Sequence, residues 1–128
     1  MGKIRILLIE DDADDIELLK DAFEQNRIDC RIDVITEGDK ALPYLESNDP
    51  PDVIVMDFNL PKLHGREILS LIRASENLSE IPLMVLTTSA SQDDMRYAFS
   101  MGADKFVTKP NTIQGFNTTV EAIISLAQ

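Results

Sequence analysis

The sequence contains no tryptophan, one cysteine, and only twelve basic residues against twenty-three acidic ones. Each shortage excludes something. With Cys30 alone, no disulfide can form within the chain, and the residue reads as part of a strand. A formal net charge of −11 repels nucleic acid and anionic lipid, so direct DNA binding is not expected. No run of about 18 apolar residues exists, and no membrane-spanning helix is expected. The opening "MGKIRILLIEDD" is basic and then apolar, as a secretory signal would be. Its apolar part is short, however, and runs into acids without a small-residue cleavage site, so the expected compartment is the cytoplasm. Linkers, internal repeats and low-complexity segments are also absent. A length of 128 residues suits one domain with a real core.

What is present is an alternation. Ile4 to Ile9 is an apolar strand interrupted only by Arg5. Ala13 to Gln25 follows with helical spacing, Ile16, Leu19, Ala22 and Phe23 sharing one face. "CRIDVIT" alternates as a strand, and Gly38 to Ser47 reads as a weaker helix containing the unfavourable Pro43. Asp52 to Asp57 is a second continuous apolar run, and Arg66 to Ala74 is helical. "IPLMVLT" is a buried strand ending at Thr87. Ser91 opens a helix, with Asp94 three positions on, and Gly102 suits its C-terminal end. "DKFVT" is a fifth strand, and Ile113 to Leu126 is a last helix with Ile113, Phe116, Val120 and Ile124 inward. Strand and helix in strict alternation predict a flavodoxin-like three-layer α/β sandwich. Its five-stranded parallel sheet has the expected order 2-1-3-4-5, with five helices.

In such sheets the working crevice lies outside the carboxyl ends of the strands. Those ends carry Glu10 and Asp11, then Asp57, Thr87 and Lys109. Three carboxylates about 4–5 Å apart repel by roughly 1–4 kcal/mol per pair, so a cation is needed among them. Mg²⁺ suits a site of few carboxylates with retained waters. Metal, lysine and a lone aspartate together suit phosphoryl transfer, because aspartate can itself be phosphorylated.

Four stretches, "ILLIEDD", "VIVMDFNLPKLHG", "PLMVLTTS" and "GADKFVTKP", occur in an order and spacing that resembles the receiver domain of two-component response regulators across essentially the whole chain. The resemblance implies a phosphorylation-activated switch that takes its phosphoryl group from a sensor histidine kinase or a histidine phosphotransfer protein. Asp57 would be the phosphoacceptor. Asp11 would bind Mg²⁺ directly, Glu10 through water, and Asn59 through its main-chain carbonyl. Thr87 resembles the switch hydroxyl, and Lys109 the phosphate-pairing lysine, with a cis bond to Pro110. Phe106 takes the place of the aromatic switch residue. Residues 1–128 would be a single receiver domain with no output domain, signalling by contact with an unknown downstream protein. A monomer is implied, or a weak dimer through the face of the fourth helix, fifth strand and fifth helix. Ser89, Tyr97 and the acid-rich start of the first helix further resemble stand-alone receivers paired with phytochrome kinases.

The fourth helix offers a candidate partner surface. Met95, Ala98, Phe99 and Gly102 fall on one stripe, taken as inward, which leaves Tyr97 and Met101 exposed. His64 reads as a solvated loop residue. The alternative function is a Mg²⁺-dependent phosphohydrolase with an aspartyl-phosphate intermediate, but such enzymes carry the nucleophile on the first strand and usually a cap domain. A flavin carrier would need a phosphate-binding loop where "EDDADD" stands.

Overall fold

The computed structural model describes residues 3–89 and 91–128. Strands β1 (Ile4–Ile9), β2 (Cys30–Ile35), β3 (Val53–Met56), β4 (Leu83–Thr87) and β5 (Lys105–Thr108) form one sheet of order β2-β1-β3-β4-β5. Every neighbouring pair is parallel. Helices α1 (Ala13–Gln25), α2 (Ala41–Ser47), α3 (Gly65–Ala74), α4 (Gln92–Ser100) and α5 (Ile113–Ala127) provide the crossovers. The expected flavodoxin-like α/β sandwich is the observed one.

Alternation along the strands builds two cores. Leu7, Ile9, Ile54, Met56, Leu83 and Val85 point to the side that carries α2, α3 and α4. Ile6, Leu8, Val53, Val55, Met84 and Leu86 point to the side of α1 and α5. Because both faces are covered, the three central strands read as near-continuous apolar runs, broken only by Arg5 at the half-buried start of β1.

Local chemistry sets the helix boundaries. Asp12, Ser91 and Thr112 cap α1, α4 and α5, each side chain accepting a backbone N–H of the first turn. His64 is exposed, and it also has a structural task. It caps α3, its Nδ1 accepting the Arg66 N–H at 3.1 Å. Pro43 causes no break, because a 3₁₀ turn at Gly38–Lys40 precedes α2 and leaves the proline in the first helical turn. A first-turn N–H has no intrahelical partner to lose.

Three expectations are corrected. On α4 the inward residue is Ala98, with half-buried Tyr97 and Met101 packed against the core, whereas Met95 is 40% and Phe99 49% exposed. The stripe 94-97-98-101 and the stripe 95-98-99-102 share Ala98, and the helix docks on the first. Ile113 opens α5 with 59% exposure, one turn before Phe116 meets the core. The Lys109–Pro110 bond is trans, like all described peptide bonds. Trans is favoured by about 0.5–1 kcal/mol at X–Pro. Lys109 is placed instead by its own N–H, which donates to the Thr87 carbonyl at 2.8 Å.

Candidate functional site

Asp57 directly follows the last residue of β3, and its N–H continues the ladder to the Ile9 carbonyl at 3.0 Å. The carboxylate is therefore held by rigid backbone, only 5% exposed, beside the end of β1. One oxygen accepts the Asn59 N–H at 3.1 Å and the other meets Lys109 Nζ at 2.8 Å. The turn after Asp57 closes on Gly65, whose N–H donates to the Phe58 carbonyl at 2.9 Å. A Cβ at Gly65 would lie 2.6 Å from both the Asp57 carbonyl oxygen and Phe58 Cα, so only glycine allows this approach.

Glu10 is 2% exposed, and both its carboxylate oxygens are engaged. Oε1 pairs with Lys109 Nζ at 2.7 Å, and Oε2 accepts the N–H groups of Asp11 and Asp12, both at 3.1 Å. Asp11 is exposed, and among the described residues it forms no ion pair. Glu10, Asp11 and Asp57 each present a carboxylate oxygen within 4.8 Å of the others. Hard oxygen donors at this spacing fit a small divalent cation, with Asp11 the most open ligand.

Lys109 also meets a carboxylate from the acid-rich start of α1. Asp15 Oδ2 lies 2.7 Å from Nζ. Burial alone would lower the lysine pKa, but bonds to Asp15, Asp57 and Glu10 outweigh it and hold the ammonium above the ordinary lysine value. Burial raises the Glu10 pKa, and Lys109 offsets only part of that rise.

The chain matches the family described as "Response regulator receiver domain" over residues 6–121. It belongs to that family. The receiver is 39% identical over 123 residues to "Probable methanogenesis regulatory protein FilR2" of Methanothrix harundinacea, covering 92% of this chain and 79% of that one. It is 32% identical over 126 residues to "Response regulator Rcp1" of Synechocystis, with 94% and 86% covered. A crystal structure of Rcp1 in a Mn²⁺-bound form superposes with a TM-score of 0.85 at 31% identity, over 94% of this chain and 91% of that chain. The phosphorylated cyanobacterial phytochrome response regulator RcpA superposes with a TM-score of 0.89 at 30% identity, over 99% and 98%. The receiver is thus a two-component signalling module, a switch rather than a conventional enzyme, and the phosphohydrolase alternative is not favoured. None of its described helices is long and apolar enough to cross a membrane.

The remaining expected residues of the receiver lie on β4, β5 and α4. Thr87 is fully buried at the end of β4, its Oγ1 accepting the Ser89 N–H at 3.3 Å. Exposed Thr88, not Thr87, faces the acidic cleft. Ser89 donates its hydroxyl to Asp94 at 2.7 Å, and Asp94 also accepts from Arg66 Nε at 2.9 Å. Phe106, half-buried on β5, meets fully buried Phe58 edge-on with ring centroids 6.1 Å apart. Tyr97 lies beneath the Arg66 guanidinium, 4.7 Å from its ring centre, and donates its hydroxyl to the Arg66 carbonyl at 3.2 Å. The contacts of Asp15 and Asp94 had no sequence signal beyond an acid in the first turn of a helix.

Proposed function

We propose that Asp57 accepts a phosphoryl group from a sensor histidine kinase or histidine phosphotransfer protein, and that this changes the surface around α4. The reading is carried by one observation: Asp57, nearly buried at a strand end, shares Lys109 with Glu10 next to the open carboxylate of Asp11. An Asp57 oxygen attacks phosphorus, the donor's P–N bond breaks, and the imidazole nitrogen leaves with the electron pair. Lys109 then donates to a phosphoryl oxygen instead of to the bare carboxylate. Glu10, Asp11, Asp57 and the Asn59 carbonyl would hold Mg²⁺, which when bound offsets negative charge on the transferred group. Buried Thr87 is the hydroxyl that follows the phosphoryl oxygen, and Phe106 the aromatic that responds through its place against Phe58. Signalling is by protein contact in the cytoplasm. A single receiver, monomeric or weakly dimeric through α4, β5 and α5, is sufficient for it. On α4 that face presents Met95 and Phe99, with Tyr97 and Met101 reporting from beneath it. The only catalysis proposed is of the receiver's own phosphorylation and dephosphorylation.

Two measurements test this. Incubated with Mg²⁺ and acetyl phosphate, the protein should gain one phosphate by intact mass, and Asp57→Asn should gain none while remaining folded. Peptide mapping that puts the phosphate elsewhere overturns the assignment. Mg²⁺ at tens to hundreds of its Kd should stabilise the fold by roughly 2–3 kcal/mol, read as a rise in melting temperature. Asp11→Ala should remove that rise, and an undiminished response would place the ion elsewhere.

A further inference from the structure

An ammonium has three N–H donors, and the three of Lys109 are matched by three carboxylates, Glu10 and Asp15 at 2.7 Å and Asp57 at 2.8 Å. Asp57 and Glu10 belong to the acceptor and metal cluster. Asp15 belongs to neither. It stands in the first turn of α1, where an acid usually reaches back to the N–H of the capping residue. Here that N–H, on Asp12, is already taken by Glu10 at 3.1 Å. Asp15 is thereby free to turn across the cleft to the lysine, whose side chain is only 6% exposed.

We propose that Asp15 is a positioning residue for phosphoryl transfer, holding Lys109 toward α1 in competition with the phosphoryl group and so biasing the receiver toward its unphosphorylated state. The inference rests on Asp57 being the acceptor. A phosphoryl group on Asp57 carries nearly two negative charges and draws the ammonium to itself. With metal bound, Glu10 and Asp57 have a second cation to answer. Asp15 has, among the described residues, only Lys109, so it keeps pulling, and it adds a like charge across the cleft from the phosphoryl oxygens. Both effects raise the free energy of the phosphorylated form.

The test is the affinity for beryllofluoride, which coordinates a carboxylate oxygen and mimics the phosphoryl group, measured with Mg²⁺ saturating for each variant. Asp15→Asn should bind it roughly fivefold to tenfold more tightly, the size of one like-charge repulsion about 5 Å away in a half-open site. Asp14→Asn is the control, because Asp14 is exposed in the same helical turn and forms no ion pair among the described residues. It should change binding less than twofold. The Lys109 side-chain ammonium NMR signal should move in Asp15→Asn and stay in Asp14→Asn, which a merely structural role for Asp15 would not produce. Unchanged or weaker binding in Asp15→Asn, equal tightening in both variants, or an unmoved lysine signal overturns the proposal and leaves Asp57 as acceptor untouched. Failure of the wild-type protein to bind beryllofluoride at all overturns both.

Discussion

Helices α3 and α4 lie on the same face of the sheet, yet they are attached by different physics. Helix α3 buries Ile68, Leu69 and Ile72, each 2% exposed or less, and Gly65 presses its start against the β3 turn. Each such large side chain contributes about 1.5–3 kcal/mol through burial, a force without direction. Helix α4 fully buries Ala98 alone, packs half-buried Tyr97 and Met101 against the core, and is otherwise held by polar contacts at its first turns. Asp94 takes Ser89 and Arg66, and Tyr97 sits under Arg66. These bonds are directional, so a small shift of Ser89, just beyond the end of β4, can break them one at a time. A helix attached this way can change position without dismantling the core, which suits it to the responding part of a switch.

Substitutions should separate the two attachments. The largest effect is expected from Leu69→Ala, about 2–5 kcal/mol of lost stability in urea unfolding, because it empties fully buried volume behind α3. A loss below 1 kcal/mol would show that α3 is no better anchored than α4. Asp94→Asn should cost less, about 1–2 kcal/mol near neutral pH. The bond from Ser89, and then Arg66, lowers the Asp94 pKa below its ordinary 3.8. A lowered carboxylate pKa contributes stability above the unfolded value, and that stability is lost as pH falls through the folded one. The gap between wild type and Asp94→Asn should therefore narrow as pH drops below about 4, and a gap that widens there would contradict the ion pair. The smallest effect belongs to Phe99→Ala, within about 0.5 kcal/mol, because a side chain 49% exposed has little burial to lose. A loss above 2 kcal/mol would mean that α4 uses the stripe first read from its sequence.

That α4 stripe shows where legibility ended. In α1 the inward set of Ile16, Leu19, Ala22 and Phe23 could be read directly, because its other positions are mostly polar. In α4 two overlapping stripes share Ala98, and apolarity along the chain favours the wrong one, because the stripe that docks carries the charged Asp94. Tyr97 wins its inward place through a guanidinium on α3, a contact spanning 31 residues. Glu10, Asp11, Asp57 and Lys109 were legible because each ends, or directly follows, an apolar run, and strand ends of a parallel sheet gather at one edge. Thr88 was missed because the residue after a strand end gives no sign of whether it faces the cleft.

The sequence by itself determined the strand–helix alternation, the two-sided burial of the central strands and the gathering of acids with one lysine at a single edge. All of these follow from apolar periodicity, which is a property of neighbouring residues. Tertiary structure alone decided which carboxylates hold Lys109 and which stripe of α4 docks. An ammonium takes whatever anions the fold brings within about 3 Å, and Asp15 comes from 94 positions away.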